Sequence, residues 1–267
     1  MITERVLDRS HAHAHSRISG MAHKVPEVTA YFWIIKVLTT GMGEKASDYL
    51  AHLLGPMPAV GLGVVALLGS LVVQFAVRPY VAWVYWTVIV MVSVLGTMAA
   101  DALHKFGVPY TLSTPLFMVA LAVVFAFWHA SERTLSIHSI TTRRHDTFYW
   151  DTVLTTFALG TAAGDLSAGI GLGYLGSVVL YAVAICVPAV AYRGRLLGAV
   201  SAFWATSVIT RSLGASFADW MARDPSHGGL RWVLRPVTLS WARSRSSASR
   251  PVWGSRGAMC AADVAAA

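Results

Sequence analysis

Four times along this chain a tryptophan is followed ten residues later by a glycine, and five residues after that by an aspartate. The copies are Trp33/Gly43/Asp48, Trp86/Gly96/Asp101, Trp150/Gly160/Asp165 and Trp204/Gly214/Asp219. Chance predicts ~0.03 such matches, so the pattern is an internal repeat, and a fixed period of this kind means an array of like units. Each copy lies in an apolar stretch that begins with an aromatic and ends in small and acidic residues. Any fold for this chain has to place four equivalent segments in equivalent surroundings.

Composition decides what those surroundings are. The sequence is 55% apolar and 13% charged, about half the charge fraction of a soluble domain, roughly 25%. Apolar runs of about 20 residues, enough for the ~30 Å hydrocarbon core, recur along it. The expected fold class is therefore all-α, a polytopic transmembrane helical bundle of parallel two-helix repeats. Seven clear spans are expected, near residues 26–54, 59–77, 81–105, 115–130, 147–168, 172–192 and 197–221. Pro26 and Glu27 mark the start of the first, Thr114-Pro115 the start of the fourth, and Pro188 should kink the sixth. The odd spans carry the motif and the even ones return the chain. An even number of crossings separates successive copies, so the motif helices should run parallel around an axis along the membrane normal.

The eighth span that this pattern demands is missing. Residues 225–267 instead carry Arg231, Arg235, Arg243, Arg245, Arg250 and Arg256 among Ser, Ala, Pro and Trp. The expectation is a tail read out of its ancestral frame, replacing that span. The chain then divides into a disordered cytoplasmic tail (1–23), a first half of four spans (24–130), a cytoplasmic linker (131–146), a second half of three spans (147–224) and the basic low-complexity tail (225–267).

The net charge of +8 reads as a topology signal, not as a nucleic-acid surface. Loops on the N-terminal side hold Arg5, Arg17, Lys24, Arg78, Arg133, Arg143, Arg144, Arg193 and Arg195, against only Lys45 and Lys105 opposite before the last span; with seven spans the basic tail would lie outside, against this bias. That bias puts the N-terminus in the cytoplasm of a multi-pass inner-membrane protein. The four motif tryptophans read as its interfacial belt. Cys186 and Cys260 form no framework, and the alternating His11, His13 and His15 have no carboxylate or thiol beside them to complete a metal site. No nucleophile–base set, phosphate loop or zinc spacing is present. The expected partner is the lipid bilayer, with no nucleic acid, no enzymatic activity and no bound cofactor.

The acids are the functional lead. A carboxylate in the bilayer centre costs at least ~2.5 kcal/mol and normally faces a cavity or a partner. Asp48, Asp101, Asp165 and Asp219 could form a cation-attracting ring around the axis, or could each bond a neighbouring repeat and hold the bundle together. His52 and His104 lie four and three residues beyond an aspartate, on the same helix face, and could join it on a divalent metal. Lys36 and Glu44 occur in the first copy alone. Eight residues apart, about 12 Å in rise, they are too far apart for a salt bridge. Lys36 either snorkels to the cytoplasmic surface or pairs with Asp151 as a clasp or gate between the halves. The mid-membrane threonines Thr39, Thr40, Thr155, Thr156 and Thr210 serve helix packing first and a polar lining second. The functional expectation is a transporter or channel for a small cation, a divalent metal among the candidates, with Asp48, Asp101, Asp165, Asp219 and Glu44 lining the path. The alternative is a non-transporting scaffold whose acids are structural.

The segments KVPEVTAYFWIIKVLTTGMGEKASDYL (Lys24 to Leu50) and RRHDTFYWDTVLTTFALGTAAGDLSAG (Arg143 to Gly169) resemble a bacterial family of predicted membrane-anchored proteins built from a short repeat of unknown function. The signature is carried by Phe32, Trp33, Lys36, Thr39, Thr40, Gly43 and Glu44. The resemblance covers roughly residues 24–224 and implies four copies in an eight-helix inner-membrane bundle. It implies no particular activity. The tail beyond about Gly229 departs from the pattern.

Overall fold

The computed structural model describes residues 26, 28–77, 80–136 and 142–231, the side chain of His227 excepted. The His11/His13/His15 run, Glu27, the Arg78-Pro79 turn, residues 137–141 of the central linker and the tail from 232 onward, with its frame hypothesis, lie outside the described residues.

Among the described residues every regular element is helical. α1 spans Ala30–Leu54, α2 Pro56–Ala76, α3 Ala82–Lys105, α4 Tyr110–Glu132 and α5 Arg143–Ser167. A π-helical segment, Ala168–Leu172, leads into α6 (Gly173–Ala184), followed by α7 (Cys186–Arg193), α8 (Ala199–Ala222) and a short 3-10 turn, Pro225–His227.

Local chemistry sets the boundaries, and some differ from expectation. α1 starts after Thr29, whose hydroxyl accepts from the Phe32 N–H at 3.3 Å, so the cap and not Pro26 fixes its first turn. Gly55, at φ 84 and ψ 160, takes a backbone conformation that side chains disfavour, and Pro56 opens α2 where no N–H is needed. α4 begins five residues before the expected Pro115, which sits inside the helix. α5 starts after Thr142, whose hydroxyl accepts from the His145 N–H at 3.1 Å, and so absorbs Arg143 to Asp146 from the supposed linker. The helical run from α6 breaks at Ile185 before α7. Pro188, three residues on, has no N–H for the Ala184 carbonyl, which gives the expected kink.

Polarity is distributed inside out. On α1 the buried set is Phe32, Lys36, Thr39, Thr40, Gly43, Glu44 and Ser47, while Tyr31, Ile34, Leu38, Met42 and Tyr49 are exposed. α2 buries little beyond Ala59, Gly63, Leu67 and Gln74 and exposes Leu62, Val65, Leu68 and Val72. Water would penalise such an apolar exterior; a bilayer requires it. Among the described residues, four helical segments are long and apolar enough to cross a membrane: Pro56–Ala76, Ala82–Lys105, Tyr110–Glu132 and the broken run Arg143–Arg193. The chain is an integral membrane protein by this measure.

The motif helices form the inside. α1 packs on α3, α3 on α5, α5 on α8, and α8 closes back on α1. The others cover this ring: α2 lies against α3 and α1, α4 mainly against α5, and α6 with α7 against α8.

Candidate functional site

The motif glycines close the ring. A Cβ on Gly43 would strike Ser93, one on Gly96 would strike Phe157, one on Gly160 Arg211, and one on Gly214 Thr40. In every case the residue struck lies three positions before the glycine of the next motif helix, and the fourth contact returns to the first helix. The glycines therefore set how closely adjacent helices approach. With the backbones so near, residues three, seven and eleven positions after each motif tryptophan stack toward the centre in successive layers.

The N-terminal layer is aromatic. Tyr85 and Tyr149 share a hydroxyl–hydroxyl hydrogen bond of 2.7 Å, and Phe32 and Phe203 complete the set at the same motif position. Trp150 and Trp204 are only 4% and 5% exposed, and Trp204 Nε1 donates to the Leu135 carbonyl at 3.1 Å. These two motif tryptophans are core residues, correcting the interfacial-belt expectation: the edge-to-face contacts of Trp128 with Trp204 and of Tyr149 with Trp150 lock them inside.

Lys36 is next, and it neither snorkels nor meets Asp151. It is 2% exposed, its Nζ donates to Ser207 Oγ at 2.9 Å, and it lies 5.0 Å from the Phe32 and Phe203 rings and 5.1 Å from Trp33. Three desolvated aromatic faces, each worth up to ~2 kcal/mol to a cation, hold it inward. Asp151 is exposed on α5, so the predicted Lys36–Asp151 clasp or gate does not form.

A second buried cation, Arg211, follows one layer on and is 1% exposed. Its Nη1 donates to Thr40 Oγ1 at 3.2 Å, and its guanidinium carbon stands 3.5 Å from the centre of the Phe157 ring. Sequence reading missed Arg211. The signal was available: a lone arginine three residues before a motif glycine, in the middle of an otherwise apolar span.

Glu44 occupies the next layer and is 4% exposed. One carboxylate oxygen accepts from Thr97 at 2.9 Å and from Thr161 at 3.1 Å, and the two hydroxyls are themselves 3.1 Å apart. Thr97 and Thr161 hold the equivalent position in α3 and α5. Three repeats thus converge on one carboxylate, with Ala215 in the fourth leaving room for it. The Thr97–Thr161–Glu44 cradle was not anticipated, because nothing local marks two threonines as partners of a distant glutamate.

The aspartates lie at the C-terminal end of the motif helices, in unequal surroundings. Lys45 bridges two of them, with Nζ 2.9 Å from Asp48 and 2.8 Å from Asp219. The Asp219 side chain is 7% exposed and Asp48 46%. Arg223 Nε also approaches Asp219, at 3.8 Å. Asp101 and Asp165 are half-buried and stand within electrostatic reach of Asp219. The four acids share one end of the ring, but they do not converge on a metal. Among the described residues no three His, Cys, Asp or Glu side chains could hold one ion. His52 and His104 are exposed, and His104 stacks on Tyr110 at 4.1 Å.

The sequence profile described as Repeat of Unknown Function (DUF347) matches residues 31–80, 84–134 and 148–195, more than half the chain. The chain belongs to this family. Each matched segment contains one motif copy and the helix or helices that follow it; the fourth copy, on α8, lies beyond the matched segments. Comparison with curated proteins and with solved structures finds no match.

Proposed function

We propose that this protein is a seven-crossing inner-membrane transporter in which four parallel motif helices surround the path of a small monovalent cation. The N-terminus faces the cytoplasm by the bias of its basic loops, and the acid-bearing helix ends face outward. α1 and α8 count as crossings even though their ionisable residues lower their hydropathy, because Lys36, Glu44, Arg211 and Asp219 are buried inside the ring and not turned to its outside. The observation that carries the reading is Glu44: a buried carboxylate in the middle of the ring, cradled by two hydroxyls from two other repeats. Ionisable groups in such positions mark ion pathways, and a carboxylate with two hydroxyls is a hard-oxygen set suited to a proton or a small monovalent cation. The outer aspartates would concentrate cations at the entrance. A divalent metal is not part of the proposal, since the described residues gather no ligand set for one.

The test is flux in proteoliposomes, reading sodium with a tracer and protons with an entrapped dye. Glu44→Gln keeps the size and the hydroxyl contacts and should abolish flux at normal membrane abundance. Flux equal to the parent's would refute the reading. One observation favours the scaffold alternative: Lys45 ties Asp48 to Asp219 across α1 and α8, a structural use of two of the four acids. On that alternative the parent shows no flux, and Asp219→Asn lowers abundance.

A further inference from the structure

Lys36 and Arg211 are the groups that a cation path does not explain. Both are almost completely buried, and among the described residues no ion pair involves either one. Glu44, the buried acid one layer beyond Arg211, is engaged by Thr97 and Thr161. Removing an ion from water costs several kcal/mol even after relaxation, and aromatic faces return only part of that. Two like charges in one bundle add their mutual repulsion. The donors are also under-used. A guanidinium has five N–H groups; Arg211 uses Nη1 on Thr40, while its buried Nε has no partner. Lys36 has three and directs one to Ser207.

We infer that Lys36 and Arg211 together form a binding site for a small monovalent anion, carried with the cation proposed above. Ser207, which anchors Lys36, lies one helical turn before Arg211 on α8, and Thr40, which accepts from Arg211, lies one turn after Lys36 on α1. The two cationic side chains thus belong to adjacent layers of the ring, and a small anion held there would accept charge-assisted hydrogen bonds from both. The buried hydroxyl pair of Tyr85 and Tyr149 lies within electrostatic reach of Arg211 and, with one proton used between the two, offers one further donor. Phe32, Trp33, Phe203 and Phe157 wall the two cations, which favours a halide, nitrate or short carboxylate over a bulky or multiply charged solute. A bound anion also removes a difficulty in the transport reading. Two buried basic groups line the N-terminal half of the axis, and a co-bound anion would offset their charge for a passing cation.

The experiment is thermal unfolding of the full-length protein in lipid nanodiscs. Sodium chloride, nitrate, formate or acetate is titrated against sodium gluconate at constant ionic strength. At least one small anion should raise the midpoint saturably, by mass action on the folded state. Lys36→Gln and Arg211→Gln should each abolish that rise, and the exposed Lys105→Gln should leave it intact. Should either glutamine variant fail to fold, Arg211→Lys and Ser207→Ala keep the charges and should weaken the apparent affinity at least tenfold. The inference is overturned if no anion gives a saturable rise in the parent, or if the rise survives these substitutions. Which anion responds separates halide from carboxylate chemistry. The inference rests on the transport reading only for the anion's passage: anion binding without cation flux overturns transport alone, and cation flux without anion binding overturns this inference alone.

Discussion

Replacing Gly96 by alanine tests the closed ring most directly. The added Cβ would stand 2.5 Å from Phe157 Cβ, 3.2 Å from the Ala158 nitrogen and 3.3 Å from the Leu154 oxygen. Comfortable carbon–carbon contact is about 3.5–4.0 Å, so α3 and α5 must part by about 1 Å. Two of the three obstructing atoms are backbone, which cannot rotate away. Overpacking of this kind costs roughly 1–3 kcal/mol, and in lipid no hydrophobic gain between helices offsets the loosened seam. Gly61, on lipid-covered α2, is the control: nothing lies within 4 Å of its virtual Cβ, and alanine there should stabilise the helix by about 0.5–1 kcal/mol. With about 2–4 °C of Tm per kcal/mol at this size, Gly96→Ala should melt roughly 2–12 °C below the parent in nanodiscs, and Gly61→Ala at or slightly above it. A Gly96→Ala variant within about 1 °C of the parent would refute the close approach of α3 and α5, and with it the glycine-by-glycine closure of the ring.

Three further outcomes follow from the buried polar groups and the α6–α7 break. Asp219→Asn should destabilise the protein by about 2–4 kcal/mol, since it leaves Lys45 half-paired in a buried bridge. Asp48→Asn, at the exposed end of the same bridge, should cost less than about 1 kcal/mol; equal costs in a denaturation series would contradict the assigned burial. Thr97→Val and Thr161→Val each remove one donor from Glu44, and either should cost about 1–3 kcal/mol. Because both hydroxyls serve one oxygen, the double variant should depart from additivity, and a strictly additive thermal-shift cycle would argue against a shared acceptor. Pro188→Ala restores the missing N–H and should allow α6 and α7 to join. Exchange of the newly introduced amide as fast as that of the amides at the break itself would show that proline is not its cause.

How much of this was legible beforehand depended on whether the signal was local. The helix order, the glycine contacts and the shared end of the four aspartates all follow from one periodic pattern, because like segments in a bundle meet like neighbours. Boundaries slipped where a side-chain cap decided them, as at Thr29 and Thr142. The polarity of Lys36 and Glu44 marked them as unusual in sequence, but their partners could not be read there. Ser207 lies 171 positions from Lys36, and Thr161 lies 117 from Glu44. The Asp151 pairing failed because similar depth says nothing about which side of a helix faces inward.

By itself, then, the sequence determined that this chain is a helical membrane protein built from repeats, with small residues at its helix contacts and acids at one end. Periodicity, length and hydropathy are properties of segments, and they survive without a fold. Only the tertiary structure decided that Lys36, Arg211 and Glu44 share one buried axis. It also decided that Lys45 spans two aspartates and that two motif tryptophans are core. Those facts depend on the rotation of each helix about its own axis, which the ring settles by packing four glycines against four neighbours, and which no single segment specifies.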